Sequence, residues 1–239
     1  IAIARRIIHE YTEQNNSDSN INWICAISRF STIIETCLNK YPDSISNFYF
    51  LPKFLRFCGN PVLVSLFERI ISSNLEDTKL FLRMIKFQDK LMDFITQWHN
   101  ADSTDVISQT PLDCVLSMYS LLIKYLDKLV DDETTLSPRT IQFALDFLPT
   151  YDRRILAKQW KLAKTVLDTS NSKDFASLFD AAFDAINQEA SVNVDLDLYI
   201  EMSHLHSKNV MFQEYQANAI EFLSALFLYN PTIATEIDI

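Results

Sequence analysis

The sequence contains a single glycine, Gly59, in 239 residues. Average usage of about 7% would place roughly 17 in a chain of this length. Glycine supplies the positive-φ turns that hairpins, Greek keys and phosphate-binding loops need. Its near absence argues against all-β, Rossmann and P-loop folds. An all-helical chain tolerates it, because helices can end on Asn and restart on Pro.

Basic charge is also scarce. The chain carries 21 Lys and Arg against 31 Asp and Glu, a formal net charge of −10. A non-specific duplex-binding surface needs an excess of Lys and Arg. The deficit is uneven. Residues 1–120 hold 11 basic and 13 acidic side chains, and residues 121–239 hold 10 and 18. Within residues 173–239, only Lys173 and Lys208 stand against eleven acids. That segment reads as a solvated acidic surface, and a docking face for a basic partner is the sharper alternative.

No charge-free stretch reaches the roughly 18 residues that span a bilayer. The longest near the C-terminus, Phe222 to Thr235, is interrupted by Asn230-Pro231, so no membrane is expected. The chain opens at Ile1 without methionine and reads as a fragment of a larger protein. Asn15-Asn16-Ser17 matches a glycosylation sequon and carries little weight alone. Cys25, Cys37, Cys58 and Cys114 lie beside apolar residues and form no C-x-x-C pair. They read as buried free thiols in a reducing compartment, nucleus or cytoplasm. The histidines His9, His99, His204 and His206 have no ligand spacing with cysteine. His204 and His206 fall ~200° apart on a helix and could not share a metal. Neither a metal nor a cofactor is expected.

Catalytic signatures are missing too. The chain has no G-x-S-x-G, H-E-x-x-H, Walker A or G-x-G-x-x-G. Asp131-Asp132-Glu133 and the pair Asp195 and Asp197 read as helix-end or surface charges. The expectation is a protein that is not an enzyme.

What remains is helix. Hydrophobic residues make up 48% of the chain, and a chain of this size can bury about 70% of its surface without staples. Ile3, Ile7 and Ile8 open a first helix. Trp23, Ile27, Phe30, Ile34 and Leu38 follow 3–4 spacing up to Tyr41-Pro42. A capping residue followed by proline recurs at Asn60-Pro61, Thr110-Pro111, Ser137-Pro138 and Asn230-Pro231, each before an apolar run. Pro52 begins or kinks a short helix. Further helices are expected near 76–98, 150–168, 173–188, 195–206 and 209–229. The whole, residues 1–239, reads as one repeat-like all-α domain of about ten helices. Successive amphipathic helices with short joints resemble a HEAT- or armadillo-like α-solenoid in architecture. No family motif carries that resemblance, and a compact helical bundle is the competing arrangement.

Three candidate surfaces stand out. Lys79, Arg83, Lys86 and Lys90 follow +4, +3, +4 spacing and fall within about 60° of arc on one helix. Leu80, Met84, Phe87, Leu91 and Phe94 would pack on one flank, and Phe81, Ile85 and Met92 on the other. The second is Arg153, Arg154, Lys158, Lys161 and Lys164, with no acid between Asp152 and Asp168. The helix dipole favours Lys161 and Lys164 near the end and leaves Arg153 and Arg154 unexplained at the start. Either stripe suits an acidic or phosphorylated protein segment or, less well given the net charge, nucleic acid, and the second could instead meet the chain's own acidic 173–239 segment. The third is Phe48, Tyr49, Phe50, Phe54 and Phe57, read as core packing, with a groove for a partner's apolar helix as the alternative. The function expected is a protein–protein interaction scaffold or adaptor of a larger intracellular complex. A nucleic-acid- or phosphate-binding helical module is the alternative.

Overall fold

The computed structural model describes residues 20–100, 112–129, 136–147, 152–170, 173–187, 202–229 and 231. Every secondary-structure element among them is helical, nine α-helices and three 3₁₀ segments, with no strand. The chain divides into two compact units, Ile1–Lys128 and Leu129–Ile239.

The first unit contains α1 (Asn20–Lys40), two 3₁₀ segments (Pro42–Phe48 and Leu51–Phe57), α2 (Pro61–Ile71), α3 (Glu76–Met84), α4 (Phe87–Asn100) and α5 (Leu112–Leu129), which closes it. Proline sets the breaks. Pro42 opens the first 3₁₀ segment and Pro52 is the second residue of the next, first-turn positions where a missing backbone N–H costs nothing. Asn60 is extended, and its side chain accepts from the N–H groups of Val62 at 3.0 Å and Leu63 at 3.3 Å. Its amide also donates to Ser28 Oγ at 2.9 Å. The start of α2 is thereby tied to α1.

Aromatics fill this unit's core. Phe30 stacks on Phe54 at 4.9 Å, and Phe54 meets Phe50 and Phe57 at 6.1 and 5.8 Å. Phe67 meets Phe87 at 5.5 Å, and Phe87 meets Tyr125 at 5.9 Å. The aromatic run is therefore mostly core: Phe50, Phe54 and Phe57 are buried, Phe48 is half-buried and only Tyr49 is exposed. The cysteines correct the reading of four buried thiols. All are free, and Cys58 and Cys114 are buried, but Cys37 is half-buried and Cys25 is exposed. Cys25 falls off the Ile27, Phe30 and Ile34 stripe that α1 buries.

The second unit contains α6 (Pro138–Leu145), α7 (Arg153–Ser170), a 3₁₀ segment (Lys173–Leu178), α8 (Phe179–Asn187) and α9 (Met202–Tyr229). Ser137 caps α6 by accepting from Thr140 N–H at 3.2 Å, with Pro138 at the first position. The central element is α7, which packs against both α6 and α9. Its Trp160 meets Phe147 at 4.5 Å and Phe222 at 5.2 Å, and Phe222 reaches Phe175 at 6.3 Å. Asn218 on α9 donates to the Ala157 carbonyl at 3.0 Å. The pairs Ala157/Asn218 and Trp160/Phe222 advance together, so α7 and α9 run in the same sense. Against α9, α8 runs the opposite way: Phe179 meets Phe227 at 5.9 Å, and Gln216 donates to the Ile186 carbonyl at 2.7 Å.

Three expected boundaries change. The helix expected over 76–98 is two helices, separated by a turn at Ile85 and Lys86. Residues 173–178 wind as 3₁₀ before α8 begins. The joint expected between 206 and 209 is absent, because Ser207, Lys208 and Asn209 include neither Pro nor Gly and α9 runs through them. The first helix at Ile3, the Thr110-Pro111 and Asn230-Pro231 starts, Asp131-Asp132-Glu133, and Asp195 and Asp197 involve residues outside those described.

Candidate functional site

The first basic stripe is interrupted. Lys86 sits at φ 51°, the one non-glycine residue in the left-handed region among the described residues. Its N–H donates to the Arg83 carbonyl at 3.0 Å, and the N–H of Ile85 donates to Phe81 at 3.0 Å. These bonds close the C-terminus of α3 in the left-handed manner that glycine usually serves. Lys79 and Arg83 thus lie on α3 and Lys90 on α4, with Lys86 in the turn, and the four do not share one helix face. Lys79 is half-buried and pairs with Glu76 at 3.2 Å, while Arg83, Lys86 and Lys90 are exposed. The expected flanks change with the break. Phe81, Phe87, Leu91 and Met92 are buried, but Leu80 and Met84 are 65% and 63% exposed.

The second cluster stays on one helix. Ile155, Gln159, Trp160, Leu162, Ala163, Val166 and Leu167 are buried around most of α7. At ~100° per residue, Arg154, Lys158, Lys161, Thr165 and Asp168 fall on one strip about 80° wide. Lys161 and Asp168 are exposed on it, and Arg154, Lys158 and Thr165 are half-buried. Arg153, exposed, and Lys164, half-buried, lie beside the strip.

Acids of the same helix or its cap neutralise part of this charge. Asp152 Oδ1 accepts from the Arg154 backbone N–H at 2.9 Å, and its Oδ2 accepts from Arg154 Nη2 at 2.9 Å. The Arg154 side chain holds the Asp152 carboxyl below its ordinary range, against a smaller opposing effect of burial. Lys164 donates to Asp168 at 2.7 Å. That bond raises the Lys164 ammonium above its usual value, with smaller support from Glu221 and Tyr229. Lys158 and Lys161, one turn apart on the strip, make no ion pair among the described residues.

Behind the strip, burial raises the Tyr215 phenol, and the Trp160 indole N–H and Arg153 oppose the rise. In the first unit, burial pushes the Cys114 thiol up to about 11 and raises Cys58 well above its ordinary value. Cys114 Sγ donates to the Leu55 carbonyl at 3.4 Å. Both are protonated core groups, ill suited to nucleophilic work.

The first unit also has an open cleft of about 410 Å³, lined by residues that include Leu38, Ile45, Ile70, Ser72, Ser73 and Thr78. Arg69 lines it and is held by Glu35 at 2.7 Å and by Asn39. Among the described residues, no group of three or more His, Cys, Asp or Glu is placed to hold a metal ion, and no helix is long and apolar enough to cross a membrane.

No family model, no curated protein and no solved structure matches this chain. The residues alone carry the functional reading.

Sequence reasoning missed several exposed apolar side chains: Leu80 and Met84 on α3, Phe183 on α8, Ile220 and Leu228 on α9. The spacing of 80 and 84 is visible in the sequence and predicts a packed flank. Phe179 and Phe183, four apart and each followed by an aspartate, are a visible sign of an apolar stripe bordered by acids.

Proposed function

We propose that this chain is a non-catalytic protein–protein interaction domain, a scaffold or adaptor of a larger intracellular complex. In this reading the exposed strip of α7 receives an acidic or phosphorylated segment of a partner. The observation that carries it is the pair Lys158 and Lys161. They project one turn apart, about 4.5 Å along the axis, from a helix buried over most of its remaining surface. Neither has an ion-pair partner among the described residues. A carboxylate or phosphate would gain charge-assisted hydrogen bonds there. Arg154 and Lys164, already paired within the chain, frame the contact and contribute less to it.

The stripe of Lys79, Arg83, Lys86 and Lys90 is a weaker candidate, since the turn at Lys86 divides it. The fold that accompanies the reading is a HEAT- or armadillo-like succession of helices, which small-angle scattering distinguishes from a compact bundle by its larger radius of gyration.

The test is a pull-down with the wild-type chain and the Lys158→Glu/Lys161→Glu variant. Loss of the same protein bands from the variant supports the reading, and equal recovery rejects it. Nucleic acid recovered in place of protein, with affinity falling steeply with salt at a log–log slope of about −0.9 per duplex phosphate contacted, would favour the phosphate-binding alternative.

A further inference from the structure

Apolar side chains face solvent along the second unit where α8 lies antiparallel to α9. Phe183 is 52% exposed, Ile220 48% and Leu228 75%. Phe179 stacks on Phe183 at 6.1 Å and meets Phe227 edge-on at 5.9 Å. The two cross-helix pairs, Phe179 with Phe227 and Ile186 with Gln216, fix the register and set Phe183 level with Ile220. An apolar seam therefore runs from Ile220 and Phe183 to Phe179 and Phe227.

Acids border this seam on both helices. Asp180 and Asp184, four residues apart on α8, are exposed, as are Glu214 and Glu221 on α9. The described parts of α8 and of α9 beyond residue 213 carry no Lys or Arg at all. An isolated exposed phenylalanine would be unremarkable on a surface. A stacked pair continuous with further apolar residues and bordered by acids on both helices is the pattern of a site that takes an amphipathic helix.

We propose that the α8–α9 seam is a second docking surface, which binds a cationic amphipathic helix of a partner protein. Apolar residues at i, i+3/i+4 and i+7 of that helix lie on Phe183, Ile220 and Phe227. Its flanking Lys and Arg meet Asp180 and Asp184 on one side and Glu221 on the other. The charge complementarity selects a basic occupant over an acidic one and sets this surface apart from the Lys158/Lys161 strip, on which it does not depend.

The test uses the full chain and an 18-residue helical peptide of Leu and Lys, labelled for fluorescence anisotropy, with its Leu and Glu counterpart as a control. The expected result is saturable binding of the Leu/Lys peptide with gain of helix, and no binding of the Leu/Glu peptide. Phe183→Glu separates the seam from simple charge attraction, because it adds a negative charge. Attraction alone predicts tighter binding by this variant, and the seam predicts at least ten-fold weaker binding. Asp180→Lys/Asp184→Lys weakens binding comparably, and Lys158→Glu/Lys161→Glu leaves the loss on Phe183→Glu in place. Tighter or unchanged binding by Phe183→Glu overturns the proposal. So does concentration-dependent self-association of the wild-type chain that Phe183→Glu abolishes, since the occupant is then a second copy.

Discussion

Asp152 holds Arg154 twice, by its backbone N–H and by its guanidinium, both at 2.9 Å. This explains why an arginine stands at the positive end of the α7 dipole. The carboxylate that satisfies the free amide of the first turn also offsets the charge beside it. Asp152→Ala removes both contacts and is expected to lower stability by about 1 kcal/mol in denaturant titrations at neutral pH. Asp152→Asn keeps the capping oxygen and loses less.

The same pair sets a pH dependence. The Asp152 carboxyl is lowered in the folded chain. Its contribution is therefore full above the ordinary carboxylate value of 3.8 and is lost as pH falls through the lower folded value. Wild type and Asp152→Asn should differ in stability at pH 6 and converge in strong acid. A gap that widens below pH 4 would contradict the pairing.

Lys86 and Gly59 make a complementary test. Lys86 occupies the left-handed region, while no described glycine does. Lys86→Gly should stabilise by about 1 kcal/mol, since a side chain in that region costs roughly 1–2 kcal/mol. A continuous helix through residue 86 predicts the opposite, a loss of about 1 kcal/mol. Gly59→Ala places a methyl 3.9 Å from Cys114 Cβ, an ordinary contact. It should change stability by less than about 0.5 kcal/mol.

Thiol reactivity follows burial. In the native chain a disulfide reagent at pH 8 should modify exposed Cys25 quickly, and Cys58 and Cys114 only on unfolding. Burial raises both buried thiols, Cys114 from 9.0 to about 11. A group raised in the folded state leaves stability unaffected well below its ordinary value and lowers it as pH climbs from about 9 toward 11. Rapid modification of all four native thiols would refute this core.

The sequence carries the fold class and several helix starts plainly. Asn60-Pro61 and Ser137-Pro138 cap helices as read, because capping depends on two or three neighbouring residues. The break at Ile85-Lys86 is not legible in the same way. Apolar residues continue at 3–4 spacing through it, from Phe81 and Met84 to Phe87, Leu91 and Ile95, and neither Gly nor Pro marks it. Phe87, the first residue past the turn, packs against Phe67 and Tyr125, long-range contacts that local spacing does not announce. The candidate surface on α7 was legible as charge, but its partial neutralisation was not. Which lysines lack a partner depends on where Asp152 and Asp168 point. Phe183 shows the same limit: apolarity predicts a buried side chain, and only the neighbouring helices decide which ones stay exposed.

Lys158 and Lys161 are proposed to form a contact surface for an acidic partner. A nuclear magnetic resonance titration of the isotope-labelled chain with an acidic phosphopeptide tests it residue by residue. The expected result is saturable shifts gathered on Lys158, Lys161 and Thr165, lost in Lys158→Glu/Lys161→Glu. Shifts gathered elsewhere, or none at millimolar peptide, would contradict it.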